Sequence, residues 1–102
     1  MITHSVFFKL RYPAGSTEAK AFFAAANALA QLPGVQHFRT VKQTGSKNNY
    51  EYGLLMEFSD EQLYNGYNNH PSHLQFVEQY WMNAVEDFIE IDYESGGVDE
   101  AS

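Results

Sequence analysis

The chain has 102 residues and no cysteine, and 6 Lys+Arg stand against 13 Asp+Glu, for a formal net charge of −7. At this length one domain is expected; without disulfides or thiolate-bound metal, a dense core or a partner chain must support it. Too few basic residues are present for a nucleic-acid binder or a protein of anionic membrane surfaces. The sequence holds no apolar run of spanning length, and Met1-Ile2-Thr3-His4 lacks the basic start and apolar core of a signal peptide, so a reducing, cytoplasmic setting is expected.

In chain order, His4, Val6, Phe8 and Leu10 alternate with Ser5, Phe7 and Lys9, which predicts a strand over 2–10. Tyr12-Pro13-Ala14-Gly15 is a turn. Ser16 or Thr17 caps a helix whose apolar stripe is Phe22, Phe23, Ala26, Leu29 and Ala30, and Leu32-Pro33-Gly34 ends it. Val35 to Thr44 reads as a second strand, followed by a loop over 45–49. In the third strand Tyr50, Tyr52, Leu54, Met56 and Phe58 share one face. Ser59-Asp60-Glu61-Gln62 opens a second helix, and Pro71 breaks it and starts another. That third helix carries His73, Phe76, Val77, Tyr80, Trp81 and Ala84 on one stripe. A last strand over 87–93 sets Ile89, Ile91 and Tyr93 against Phe88, Glu90 and Asp92. Residues 1–94 form the domain, and 95–102 read as an acidic flexible tail.

The order β-α-β-β-α-β is the α+β, ferredoxin-like pattern: a four-stranded antiparallel sheet with helices on one face. The far face is then expected to carry Phe7, Leu55 and Phe88 among Lys9, Glu51, Glu57, Glu90 and Asp92. An apolar centre with a polar rim is the anatomy of an interface, so a homodimer joined through the open sheet face is expected. The charge is lopsided: all six Lys and Arg lie in residues 1–59, and ten acids with no Lys or Arg lie in 60–102. Glu90 and Asp92 are expected to meet Lys9, Lys42 or Arg39 across the sheet or the dimer.

The opening strand His4-Ser5-Val6-Phe7-Phe8-Lys9-Leu10, the Leu32-Pro33-Gly34-Val35 link, the block Tyr67-Asn68-Asn69-His70-Pro71-Ser72-His73 and the closing Phe88-Ile89-Glu90-Ile91-Asp92-Tyr93 resemble the stress-responsive A/B-barrel (Dabb) family. The resemblance covers about residues 2–93, and Tyr-x-x-His-Pro-x-His is its most specific part. It implies a dimeric α+β barrel. Many members have no assigned activity; cyclases among them close a linear polyketide by aldol condensation without metal or organic cofactor. In that likeness His73 matches the catalytic histidine, Tyr67 its partner tyrosine and His4 a first-strand histidine. A further histidine of those cyclases falls on Tyr52 and a first-helix tyrosine falls near Ala26, so polyketide specificity does not carry over.

The residues themselves support a small-molecule site with His73 and Tyr67 as candidate catalytic groups and His4, Phe8, Phe22 and Tyr52 as candidate pocket lining. A neutral imidazole among apolar groups can take a proton from carbon beside a carbonyl, and a phenol can hold the resulting oxyanion. The expected ligand is a small carbonyl or aromatic compound, with no cofactor and no metal. His70 and His73 lack an obvious third ligand, and His70 fits a helix cap better. As an enzyme the chain would be a cofactor-free lyase or cyclase or, by analogy of fold alone, a monooxygenase. The competing expectation is a structural role, in which His73 and Tyr67 only tie the helix break.

Overall fold

The computed structural model describes residues 1–96; most of the expected acidic tail lies outside them. Four strands, β1 (Ile2–Leu10), β2 (Gln36–Lys42), β3 (Tyr52–Phe58) and β4 (Val85–Glu94), form one antiparallel sheet in the order β2-β3-β1-β4. The two long hydrophobic strands, β1 and β3, lie at its centre. There His4 opposes Met56, Val6 opposes Leu54 and Phe8 opposes Tyr52. Residues directly opposite share a face, so these six point together toward the helices.

Helix α1 (Thr17–Ala28) starts where the Ser16 hydroxyl accepts the Ala19 amide at 3.1 Å. Its buried residues Ala19, Phe22 and Ala26 follow helical spacing. A short 3₁₀ turn (Leu29–Gln31) ends it, and Gly34 follows at φ 85°, a backbone value that only glycine adopts without strain. Helix α2 (Glu61–Asn68) is capped by Asp60, which accepts the Leu63 amide at 2.9 Å. Helix α3 (Pro71–Phe76) begins at Pro71 with His70 as cap, its Nδ1 accepting the Ser72 amide at 3.1 Å. It runs on through a π-helical turn (Val77–Trp81) into a last α turn (Met82–Ala84).

The core lies between the helices and β1/β3. Phe8, Phe22, Phe58 and Met56 are its largest fully buried side chains. Phe8 is the hub, with ring centres 5.4 Å from Phe22, 5.1 Å from Trp81 and 6.0 Å from Tyr52.

The strand boundaries move by a few residues from those the pattern predicts. The phase of β4 departs in substance. Asp92 pairs with His4, Glu90 with Val6 and Phe88 with Phe8, which puts all three on the helix side rather than the open face. Ile89, Ile91 and Tyr93 take the open face with Phe7 and Leu55. The reason is register: β4 follows the phase of β1, and one strand's two faces cannot be exchanged without a slip. The expected ion pairs fall with it. Lys9 meets Glu86 at 3.5 Å, Arg39 meets Glu57 at 3.6 Å, and Asp92 meets His4 instead. The open face thus loses acids and gains isoleucines. Ile89, Ile91 and Tyr93 are all exposed in the single chain.

On that face Gly53 lies under Phe7 and Val41. A Cβ there would stand 2.6 Å from the Phe7 ring and 2.9 Å from a Val41 methyl. Gly53→Val is expected to lift Phe7 off the sheet and cost about 1–3 kcal/mol. A denaturant midpoint equal to the parent's would show that Phe7 does not depend on this gap.

Candidate active site

The cleft where α2 and α3 meet the sheet holds a cavity of about 210 Å³. Its apolar wall is formed chiefly by Leu54, Met56, Phe76 and Trp81, and its polar groups are His4, Tyr67, Asn68, His73 and Glu90. A dry cavity of about 150 Å³ already accepts benzene, so a molecule of one ring and its substituents fits.

Four elements position the polar groups. His4 comes from β1, Tyr64 and Tyr67 from α2, His73 from α3, and Glu90 and Asp92 from β4. The His4 Nδ1 lies 2.6 Å from Asp92 Oδ1. The Tyr64 hydroxyl donates to Asp92 Oδ2 at 2.7 Å and lies 2.9 Å from the same His4 nitrogen. The phenol has one hydrogen and gives it to Asp92, so His4 Nδ1 carries its own proton, shared between Asp92 and the Tyr64 oxygen. His73 repeats the arrangement with a neutral partner. Its Nδ1 lies 3.0 Å from the Asn68 carbonyl, which can only accept, so Nδ1 is protonated and Nε2 is left as the basic nitrogen. The Tyr67 ring packs on His73 with centres 4.5 Å apart.

Burial holds the His73 pKa below its ordinary value. The like charges His4 and His70 add to that shift, and the Asn68 carbonyl and Glu90 oppose it. Tyr67 is pushed well above the usual tyrosine value, first by burial and then by Glu90. Tyr64 moves the same way, by burial and then by Asp92. Both phenols therefore remain neutral hydrogen-bond donors. The site combines a neutral, oriented imidazole with a buried phenol beside a small apolar cavity.

Of the residues singled out from sequence, His73, Tyr67 and His4 come together at this cavity. Phe8, Phe22 and Tyr52 do not line it. Phe8 and Phe22 are packed solid in the adjoining core, and Tyr52 stands against Phe23 with ring centres 5.0 Å apart. Large rings close-packed on one another leave no space, and the open volume lies beside the smaller side chains of Leu54 and Val6. Asp92, Tyr64 and Glu90 are the polar groups that the sequence reading missed. Once β4 is paired with β1, the alternation 88, 90, 92 identifies two of them. Among the described residues, the one group with three metal-type ligands in reach of each other is His4, Glu90 and Asp92, whose ligand atoms lie within 4.8 Å; His70 and His73 do not form one.

The sheet order and the one-sided helices define a ferredoxin-like α+β protein. The sequence matches the family model of the stress responsive A/B barrel domain (Dabb) over residues 2–95, and the chain belongs to this family. A Dabb family protein with a ferredoxin-like fold from Mesorhizobium loti is 41% identical, with TM-score 0.91 over 94% of this chain and 97% of that one. A dimeric ferredoxin-like protein of unknown function from Thermobifida fusca superposes with TM-score 0.75 at 17% identity, over 90% of this chain and 88% of that one. A hydroxynitrile lyase from Passiflora edulis superposes with TM-score 0.83 at 12% identity, over 96% and 95% of the two chains. The last two show the shared fold alone. A search of curated proteins gives no match. No helix among the described residues is long and apolar enough to cross a membrane.

The His73 shift has a consequence for stability. A base whose folded pKa is lowered takes up its proton first in the unfolded chain, so stability is complete above the ordinary value near 6.5 and falls as pH drops below it. Melting temperature is expected to fall between about pH 7 and pH 5, and the fall should be shallower in His73→Asn. Equal slopes in parent and variant would contradict a buried neutral His73.

Proposed function

We propose that this chain is a homodimeric small-molecule enzyme whose cavity binds a small carbonyl compound and acts on it by proton transfer through His73. The observation that carries this reading is the convergence of His73, Tyr67 and His4 on one cavity, with the Nδ1 proton of each imidazole already committed to a protein acceptor. The Nε2 of His73 takes a proton from carbon next to the carbonyl. The electron pair of that C–H bond moves into the carbonyl, and the oxygen gains charge. The Tyr67 hydroxyl donates to that oxygen, and its raised pKa keeps the phenol protonated for the task. The proton taken up by His73 Nε2 returns to the product from that same nitrogen, and His4, held by Asp92 and Tyr64, offers a second oriented ring whose free nitrogen can accept a hydrogen bond from the substrate. A lyase or cyclase acting without an organic cofactor fits these parts. The fold shared with the Passiflora lyase is compatible with such chemistry.

The homodimer is proposed to join through the open sheet face, where Phe7, Leu55, Ile89, Ile91 and Tyr93 gather on one surface. The dimeric description of the Thermobifida relative supports this assembly. A purely structural reading also has an observation behind it: the bond from His73 to the Asn68 carbonyl spans the break at Pro71 and would fix it without any ligand.

Deuterium exchange at the α-carbon of small aryl ketones and β-keto compounds separates the two readings. The parent is expected to accelerate it, His73→Ala to lose about a hundredfold or more, and Tyr67→Phe to lose less. If no such compound exchanges faster or raises the melting temperature, and both variants are destabilised, the structural reading holds. For the assembly, the parent is expected to sediment as a dimer at micromolar concentration and Ile91→Lys as a monomer. A monomeric parent would remove the proposed interface.

A further inference from the structure

We propose that the ligand of this cavity is a cation: a small compound that presents an ammonium group to Glu90 and the surrounding aromatic rings. The inference rests on reading the cavity as a small-molecule site and adds the class of molecule that the site selects.

Three observations carry it. First, the cavity wall includes a carboxylate but no Lys or Arg. Glu90 forms no salt bridge among the described residues, whose Lys and Arg ion pairs are Lys9 with Glu86 and Arg39 with Glu57. Second, a further acid stands close behind the wall: ligand atoms of Glu90, Asp92 and His4 lie within 4.8 Å of one another, so a second carboxylate adds to the negative potential beside Glu90. An anionic ligand would meet repulsion there, and a cationic one would be attracted. Third, aromatic groups surround the same space. Tyr67, Phe76, Trp81 and Phe88 all line it. Trp81 meets the Phe88 ring edge to face at 5.5 Å and lies 6.4 Å from Phe76. Aromatic faces attract organic cations, and a carboxylate at the rim completes the recognition chemistry for an ammonium group. The volume of about 210 Å³ limits the occupant to roughly one ring with its substituents. Together with the proposed proton transfer, this describes a small amino-carbonyl compound rather than a keto acid.

Trp81 is the sole tryptophan, so its fluorescence reports on the cavity directly. Three probes of nearly equal size test the proposal: benzylammonium, benzyl alcohol and benzoate, titrated into the parent and Glu90→Gln. The parent is expected to bind benzylammonium about tenfold more tightly than the alcohol, with benzoate weakest. Glu90→Gln, a change at an exposed position on an edge strand, is expected to bring ammonium and alcohol close together without weakening the alcohol. Equal binding of ammonium and alcohol by the parent would overturn the cation assignment and leave the small-molecule reading standing. So would an unchanged ratio in the variant. Failure of all three probes to alter Trp81 fluorescence would likewise overturn the cation assignment, while the small-molecule reading stands or falls with the ketone exchange.

Discussion

Strand β1 is hydrogen-bonded along both edges, so its side-chain alternation is passed to both neighbours. His4, Val6, Phe8 and Leu10 face the helices, and the residues opposite them in β3 and β4 must follow. A one-residue slip would carry His4 to the open face and Phe7 into the core. Phe8, fully buried and surrounded by Phe22, Trp81 and Tyr52, makes such a slip costly. The position of His4 in the cavity and that of Asp92 beside it are both consequences of this one phase.

The polar side of the cavity is set where the second helical segment is broken. Pro71 has no amide hydrogen to continue α2, and His70 caps the new start. The carbonyl of Asn68, left at the end of α2, is taken up by His73. One break thus sets the tautomer of the candidate base and swings its ring beneath Tyr67. Further on, the π-helical turn over Val77–Trp81 carries the chain to Trp81, which packs on Phe8 and Phe88. The same helix supplies both the polar floor and the aromatic end of the cavity.

The charge imbalance takes on a different meaning in three dimensions. The acids of the second half divide by location. Glu86 sits beside Lys9, Asp60 caps a helix, and Glu90 and Asp92 stand around His4 at the cavity. Along β4 the open sheet face presents isoleucine and tyrosine in place of the expected Glu90 and Asp92. An acidic composition therefore shapes a local site, while the open face is more apolar than the composition suggests.

Local information sufficed for the elements and much of the site. Alternation gave β1 and β3 their helix-facing sets, Ser16 and Pro71 marked helix starts, and helical spacing put His73 on the buried stripe with Phe76. Tyr67 and His73 were legible together because they lie six residues apart across a break that proline dictates. The phase of β4 was not legible, since both its alternating sets contain large apolar side chains and only pairing with β1 chooses between them. Nor was the shape of the cavity: Phe8, Phe22 and Tyr52 have the chemistry of a pocket wall, but whether an aromatic ring lines a space or fills it depends on its neighbours in three dimensions. Sequence alone determined which face of each central element is buried, and with it the helix-side placing of His4 and the buried stripe that holds His73, because period and capping are local. Tertiary structure alone decided that Asp92 and Tyr64 hold His4 and that Glu90 stands close beside it, because those contacts join residues far apart in the chain through a register that no local signal encodes.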